Sequence, residues 1–497
     1  MSESIESLLT EAARLRRAGR TLEALKAYER LLALAPNLPD SWYNLALLQR
    51  KAGRPEAALL SYDQALRRGI SDPEEVHLNR AVILSDDLRR ESEAESELSA
   101  ALARNPRYVP ALLNLGNLHE DRGQRAEAVA AYQAILALDP NDPDALARLG
   151  GLATPSGPDD PLIRRLRTAI GRHGPAADAA LGFALGRMLD GAGLYDGAFE
   201  AYAAANRASR GAAAPGTVRY DRAAQEALAD SIITAFPTPW AGPPTSGTRT
   251  PPIFICGMFR SGSTLLEQML ASHPRVTAGG ELDLLPAMVR TALSPYPDSL
   301  AGASPDRLDG LARQYLDALT ATFPQADRLT DKRPDNWLHV GLIKRLFPDA
   351  KIVNTVRDPL DNALSVFFLH LDHGMAYALD LLDIGHYLRQ QQRLMAHWKA
   401  LYPDDVIDFD YDALVADPRA RLEPLLTALG LDWDDRCLAF HQLDNAVKTA
   451  SVWQVREPLY QRASGRSRHY ERQLAPLKAW LEERGSQRGH VPQVRVP

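Results

Sequence analysis

The stretch Gly257-Met258-Phe259-Arg260-Ser261-Gly262-Ser263-Thr264 decides how the second half of this 497-residue chain folds. It has the spacing of a phosphate-binding loop, but Ser263 stands where nucleoside triphosphatases carry lysine. The apolar residues 252–256 before it predict a strand, and residues 265–270 after it predict a helix. Backbone N–H groups and the positive end of the helix dipole would then face an anion. Because the only cation of the loop is Arg260, we expect a nucleotide that is not used as a triphosphate.

Composition limits the partners of the chain. The net charge of −6 argues against nucleic acid as a partner, so an anion site must be a local cluster of cations. The two cysteines, Cys256 and Cys437, are too few for a disulfide framework or a metal cluster and suit a reducing compartment. An acidic N-terminus and the lack of an apolar run of about 18 residues predict a cytoplasmic protein that does not associate with a membrane.

The first 210 or so residues repeat with a period close to 34 residues. An alanine four residues before an aromatic or leucine recurs, and a glycine stands five residues before most of these alanines; the pairs are Ala24/Tyr28, Ala58/Tyr62, Ala94/Leu98, Ala128/Tyr132 and Ala198/Tyr202. The pattern resembles the tetratricopeptide repeat, in which helix pairs stack into an α-superhelix with a concave face. That face could bind a protein or peptide partner, or the array could serve only as a spacer or a dimerisation surface.

The repeats end before a proline-rich segment at residues 237–252. We therefore predict a repeat domain over 1–215, a helix and linker over 216–252, a second domain over 253–485 and a tail over 486–497. In the second domain, strands at 252–258, 351–356 and 406–409 alternate with helices such as 338–346 and 376–402. This alternation predicts an α/β domain with a central parallel sheet, with ligands bound at the carboxyl ends of its strands.

An ordered set of motifs in the second half resembles the sulfotransferases that use 3′-phosphoadenosine 5′-phosphosulfate (PAPS). The resemblance is greatest to tyrosylprotein sulfotransferases and to bacterial proteins that join tetratricopeptide repeats to a sulfotransferase domain. The motifs lie at residues 259–264, 273–281, 331–334, 356–365, 411–415, 429–433, 449–456 and 464–470. One departure is the stretch 366–370, Val-Phe-Phe-Leu-His, which is more apolar than its counterpart in the family.

The resemblance implies PAPS as donor, its 3′,5′-bisphosphate (PAP) as product, and no metal. It implies that the loop holds the 5′-phosphosulfate and that a second site holds the 3′-phosphate. The first group is Arg260, Ser261, Gly262, Ser263 and Thr264; the second is Arg357 and Ser365, with Tyr411 near the donor and Arg466 in a basic loop. A strand-end arginine can bind phosphate through two hydrogen bonds, although Arg357 could instead pair with Asp358 or Asp361.

The resemblance also assigns the chemistry. Glu281, after two glycines, would be the general base that takes the acceptor proton, although a solvated loop glutamate is the commoner case. Lys332, with Arg260, would stabilise the leaving phosphate, although Lys332 could instead pair with Asp331 or Asp335. The acceptor would be a hydroxyl of a protein, a peptide (peptidyl tyrosine), a glycan or a small molecule, recruited with help from the repeats.

Two other functions stay open from the sequence. A kinase-like phosphotransferase is disfavoured by Ser263, and a non-catalytic repeat scaffold is disfavoured by the set of charged residues above. His370, His373 and His386 lack the spacing of metal ligands, so no metal site is predicted.

Overall fold

The structure is a computed structural model that describes residues 4–242, 250–300, 302–371, 373–443, 447, 449, 452–459 and 464–485. Part of the predicted linker (243–249), residues 450–451 of the motif at 449–456 and the predicted tail (486–497) lie outside these ranges. The chain divides into two compact units, Met1–Leu152 and Ala153–Pro497. In the described part of the chain, no helix is long and apolar enough to cross a bilayer.

The first unit consists of antiparallel helix pairs, as the repeats predict. Several of its helices begin at a proline, which suits the first helical position because its missing N–H would have no intrahelical partner. The helices are α1 Ile5–Arg17, α2 Thr21–Leu34, α3 Pro39–Lys51, α4 Pro55–Arg67, α5 Pro73–Val82, α6 Glu91–Arg104, α7 Val109–Asp121, α8 Arg125–Leu138 and α9 Pro143–Leu152, with a π-helical turn at Ile83–Asp87.

The repeated alanines and aromatics form the core of this unit. Ala58 and Tyr62, like their counterparts in the other repeats of this unit, are almost completely buried, so each small residue lets a neighbouring helix approach and each ring fills the adjacent gap. The repeated glycines of this unit have a positive φ of 71° to 73° at the turn between the helices of a pair. In the degenerate repeat, Arg89 occupies the glycine position and still has a φ of 54°. The turn geometry is thus imposed by packing even where the sequence lacks glycine.

The second unit begins with helices that precede its sheet. These are α10 Pro161–Ala169, α11 Pro175–Gly191, α12 Tyr195–Ala212 and α13 Arg222–Ala235. The repeat domain predicted from the sequence extends to residue 215, whereas α11 and α12 pack against the second half of the chain. The Tyr202 ring stacks on Phe368 with centroids 3.8 Å apart, and the Phe183 ring stacks on His370 at 5.0 Å. The apolar stretch 366–370 therefore provides the surface on which this helix pair rests.

The sheet is parallel and has the strand order β2-β3-β1-β4-β5. Its strands are β1 Ile253–Gly257, β2 Val276–Thr277, β3 Arg328–Lys332, β4 Ile352–Val356 and β5 Val406–Asp410. The predicted strands correspond to β1, β4 and β5. The sequence did not predict β2 and β3, because β2 has two residues and β3 reads Arg-Leu-Thr-Asp-Lys, which is too polar to look like a buried strand.

Helices cover both faces of the sheet. They are α14 Ser263–Ala271, α15 Leu284–Thr291, α16 Pro305–Thr322, α17 Val340–Leu346, α18 Pro359–Phe367, α19 Leu381–Leu401, α20 Tyr411–Ala416, α21 Pro418–Ala428, α22 Val452–Val455 and α23 Glu471–Gly485. Successive residues of β1 enter opposite cores: Phe254 and Cys256 pack on one side, Ile253 and Ile255 on the other. This double burial explains why β1 is apolar throughout and was the most easily predicted strand.

A glycine in α7 tests the packing of the repeats. A Cβ atom on Gly116 would lie 2.4 Å from the ring of Tyr132, so Gly116→Ala should destabilise the chain by about 1–3 kcal/mol despite the higher helix propensity of alanine. The matched control is Gly151→Ala in α9, where no atom lies within 4 Å, and it should be neutral or stabilising by up to about 1 kcal/mol. Urea unfolding followed by circular dichroism measures both; equal stability of the two variants would contradict this packing.

Candidate active site

The carboxyl ends of all five strands deliver predicted site residues to one edge of the sheet. The phosphate-binding loop follows β1, Lys332 ends β3 and Arg357 follows β4. Tyr411 follows β5, and Glu281 lies four residues after β2. The strand order therefore places the Glu281 and Lys332 strands on one side of the loop and the Arg357 and Tyr411 strands on the other.

The loop, residues 257–264, has no room for larger side chains at its glycines. Gly257 and Gly262 have φ values of 147° and 101°. A Cβ on Gly257 would lie 2.5 Å from the Thr355 carbonyl oxygen, and one on Gly262 would lie 2.5 Å from the Tyr411 ring. Arg260 also has a positive φ, 68°, which is uncommon for a residue with a side chain and is typical of functional loops.

Helix α14 begins directly after Gly262, which has no side chain to cap its first turn. The N–H groups of that first turn, together with the hydroxyls of Ser263 and Thr264, form the kind of helix N-terminus that binds anions. Thr264 Oγ1 lies 3.4 Å from Thr449 Oγ1. Ser261 is different: its hydroxyl lies 2.6 Å from Thr355 Oγ1 and its N–H donates to the Met258 carbonyl at 3.0 Å. Both polar groups of Ser261 thus stabilise the loop itself.

Ser365 and Arg357 both contact Arg260 of the loop. Arg260 Nε donates to Ser365 Oγ at 3.1 Å, and Arg357 Nη1 donates to the Arg260 carbonyl at 3.2 Å. The Arg357 guanidinium also lies over the Tyr411 ring, 4.9 Å from its centroid. Burial raises the pKa of Tyr411, and the two nearby arginines oppose that rise.

The acids that could have paired with Arg357 accept backbone hydrogen bonds. Asp358 Oδ1 accepts from the N–H groups of Leu360 and Asp361 and caps α18. The Asp361 carboxylate accepts from the N–H groups of Gly465 and Ser467. Asp361 thereby holds the loop that carries Arg466 against the helix that carries Ser365.

Glu281 and Lys332 form an ion pair on the other side of the loop. Lys332 Nζ donates to Glu281 Oε1 at 2.6 Å; the lysine side chain is fully buried, whereas that of the glutamate is 35% exposed. The alternative partners of Lys332 bind elsewhere. Asp331 accepts from Tyr315 and Asn336, and burial raises its pKa to about 6, whereas Asp335 pairs with Arg333.

Arg466 points to the helices before the sheet. Its Nη2 donates to Asp190 Oδ2 at 2.5 Å, and the Tyr470 hydroxyl donates to the other oxygen of Asp190. The guanidinium also lies 5.2 Å from the centroid of the Phe368 ring. These contacts place the Arg466 side chain between α11 and Phe368, which directly follows the Ser365 helix.

Two of the histidines noted in the sequence, His370 and His386, have structural partners. His386 lies 2.8 Å from the Tyr220 hydroxyl and 2.9 Å from Glu226, and His370 stacks on Phe183. Within the described residues, no cluster of three or more histidine, cysteine, aspartate or glutamate side chains is arranged to bind a metal ion.

One site residue, Glu267, was not predicted from the sequence. The residue is 3% exposed, and its side chain contacts Gly280, the residue before the predicted base Glu281. Its Oε1 accepts from Thr330 Oγ1 at 2.6 Å and from the Gly280 N–H at 3.0 Å. Burial raises the pKa of Glu267, and the positive charge of Lys332 opposes that rise. The available signal was its spacing: Glu267 stands one helical turn after Ser263 on a helix that is otherwise largely apolar.

Together, the parallel sheet and the loop define an α/β domain with phosphate-binding-loop spacing that lacks the lysine of the triphosphatases. Residues 251–435 match the model of the sulfotransferase family, and residues 9–73 and 86–143 match the tetratricopeptide repeat model. The resemblance predicted from the sequence is therefore confirmed: the chain joins tetratricopeptide repeats to a segment similar to the sulfotransferases.

Individual relatives agree with these matches. An uncharacterised protein of Aquifex aeolicus (strain VF5) is 34% identical over 321 residues, which are 61% of this chain and 41% of that relative. A putative protein-tyrosine sulfotransferase of Caenorhabditis briggsae is 26% identical over 39% of this chain and 70% of its own length. Protein-tyrosine sulfotransferase 1 of Danio rerio is 28% identical over 39% of this chain and 57% of its own length. The chain thus spans about half the length of the curated relatives it matches.

A solved sulfotransferase domain, from the olefin synthase of Synechococcus PCC 7002, is 25% identical and covers 46% of this chain and 90% of that domain, with a TM-score of 0.34. A score of this size adds nothing to the fold assignment, which rests on the strand order. The sequence relatives support a sulfotransferase activity.

Proposed function

We propose that this chain is a cytoplasmic sulfotransferase that transfers a sulfuryl group from PAPS to an acceptor hydroxyl. The observation that carries the proposal is the arrangement of cations around the loop. Arg357 and Ser365 contact Arg260 on one side, and the Glu281–Lys332 pair lies at the ends of the strands on the other. A donor with separate 5′ and 3′ anionic groups needs one anion site for each group. The loop would bind the 5′ group, and Arg357 with Ser365 would bind the 3′-phosphate.

The residues present fit this donor. The glycines let the loop backbone lie against Thr355 and the Tyr411 ring, and the helix N-terminus provides N–H donors for the 5′ end. Arg357, held against Tyr411 and the loop carbonyl, is oriented for a phosphate at the 3′ end. When bound, the donor supplies an electrophilic sulfur attached to a phosphate leaving group.

Glu281 and Lys332 would divide the chemistry between them. Glu281 lies at the exposed end of the pair, so its carboxylate can accept the proton of an approaching hydroxyl as the oxygen bonds to sulfur. Lys332 is buried and fixed, so its charge can stabilise the phosphate oxygen as the bond to sulfur breaks. Arg260, at the other side, would share that charge. The transfer is direct, with no covalent enzyme intermediate.

The acceptor would be a protein, a peptide or another hydroxyl compound, and the repeats would help to recruit it. Peptidyl tyrosine is included because two of the relatives described above are named as protein-tyrosine sulfotransferases. Helical repeats present an extended concave surface that suits a peptide or a protein partner.

Calorimetry with PAP tests the donor site. The wild-type chain should bind PAP without magnesium, and Arg357→Ala should weaken binding by about 10- to 100-fold because a charged hydrogen-bond donor is lost. The control is Arg419→Ala, which removes another arginine that lies over an aromatic ring, Trp433, and it should leave PAP affinity unchanged. Absence of PAP binding to the wild type would overturn the proposal. Magnesium-dependent binding of ATP in place of PAP would favour a kinase-like enzyme instead.

Glu281→Gln should abolish most transfer without weakening the donor site. The amide cannot take the proton of the acceptor, so we expect kcat to fall by about 10²- to 10⁴-fold while PAP affinity stays within a few-fold of wild type. The assay uses labelled PAPS and a phenolic acceptor. Asp283→Asn, at an exposed acid that pairs with Arg290, is the control and should retain activity. Wild-type turnover by Glu281→Gln would remove Glu281 from the role of base.

A chain that begins at Ala153 tests the repeats. The cut follows the boundary between the two units, so it keeps α11 and α12, which contact the second half. If the repeats recruit a large acceptor, the shortened chain should bind PAP normally and sulfate a small phenol normally. Its kcat/KM for a protein or peptide acceptor should fall. Loss of PAP binding in the shortened chain would show instead that the repeats are needed for folding.

A further inference from the structure

The turn that carries Glu281 is held by hydrogen bonds from two neighbouring elements. The Gly279 N–H donates to Thr330 Oγ1 at 3.1 Å, and the Gly280 carbonyl accepts from the Lys332 N–H at 3.0 Å. The third bond comes from α14, where Glu267 Oε1 accepts from the Gly280 N–H at 3.0 Å. Gly280 has a φ of 69°, and a Cβ on Gly279 would lie 2.0 Å from the Thr330 carbonyl oxygen. The turn is therefore tight and fully defined by its contacts with β3 and α14.

Burying the carboxylate of Glu267 at this position has a high desolvation cost. Its side chain is almost completely buried, and a buried carboxylate needs hydrogen-bond donors to offset its lost hydration. It accepts hydrogen bonds from the Thr330 hydroxyl and the Gly280 N–H, and both donors belong to the structure that presents Glu281 and Lys332. If residue 267 served only to pack α14 into the hydrophobic core, an apolar side chain would serve better. Leu266 and Met269 on the same helix are examples of such packing.

We propose that Glu267 is a positioning residue that fixes the Gly279-Gly280 turn and thereby places the Glu281 carboxylate against Lys332. This inference rests on the proposed function, because it assigns Glu267 to the same reaction. Glu267 touches neither donor nor acceptor and acts through the turn. Its helix begins at the anion-binding loop, so α14 connects the donor site at its first turn to the base one turn later.

Three variants separate the hydrogen bond from simple packing. Glu267→Met keeps an unbranched side chain but removes the acceptor, so the Gly280 N–H loses its partner. Glu267→Gln keeps an acceptor oxygen without the charge. Gln268→Met is the matched control, because Gln268 is equally buried on the same helix and, within the described residues, its side chain makes no hydrogen bond to the turn.

Kinetics and hydrogen exchange on the full chain are the measurements. Glu267→Met should lower kcat by about 10- to 100-fold, because small displacements of a reacting group have effects of this size. Its KM for PAPS and its affinity for PAP should stay within a few-fold of wild type. Amide exchange at Gly280 should become faster. Glu267→Gln should restore most of kcat and of the Gly280 protection, and Gln268→Met should behave as wild type.

Other outcomes overturn the inference. Wild-type kcat in Glu267→Met, equal losses of kcat and PAP affinity, or failure of Glu267→Gln to restore kcat would show that Glu267 has only a packing role. Should Glu267→Met fail to fold by circular dichroism, Thr330→Val provides the second test, since it removes a hydroxyl that bonds both Glu267 and Gly279. It should lower kcat with PAP affinity retained.

The exchange measurement needs no activity, which separates the two proposals. A wild-type chain that neither binds PAP nor transfers sulfate would refute the proposed function, whereas Gly280 exchange would still decide whether Glu267 holds the turn. An active wild type with unchanged Gly280 exchange in Glu267→Met would refute the inference alone.

Discussion

The backbone pairing of β1 with β3 on one side and β4 on the other is the constraint on which the site depends. In a parallel sheet, all carboxyl ends lie at one edge, so the register of these strands fixes which side chains can meet there. Ile255 pairs with Lys332 and Gly257 pairs with Thr355. Lys332 and the loop therefore leave the sheet side by side, although 75 residues separate Gly257 from Lys332 in the sequence.

In the proposed site, the loop would bind an anion without the usual lysine. Close contact of Gly262 with the Tyr411 ring excludes a side chain there, and the Ser261 hydroxyl is committed to Thr355. Backbone N–H groups must then provide most of the hydrogen bonds at the first turn of α14, with the charge supplied from Arg260. A positive φ at Arg260 costs on the order of 1–3 kcal/mol. Such strain is consistent with a functional role for the orientation of the Arg260 side chain.

The sequence predicted the elements with strong local patterns and missed those defined by tertiary contacts. Repeated alanine–aromatic pairs predicted the helices of the first unit, and apolar runs predicted β1, β4 and β5. Strand β3 was missed because Thr330, Asp331 and Lys332 are polar yet buried. Their burial depends on partners distant in the chain, which no local pattern contains. Glu267 was missed for the same reason. By contrast, the order of the motifs was enough to predict that Arg357 lies at the loop.

The helix pair α11–α12 explains why the repeat pattern and the structural boundary differ. It has the repeat signature of Gly193, Ala198 and Tyr202, but its aromatic residue stacks on Phe368 of the second half. The apolar stretch 366–370, the departure from the family noted in the sequence, supplies the surface that covers this helix pair. Asp190, at the end of α11, then binds Arg466 in the loop that Asp361 holds beside the Ser365 helix. The repeat-like pair thus packs on the Arg357 side of the loop, whereas Glu267 and Glu281 lie on its other side.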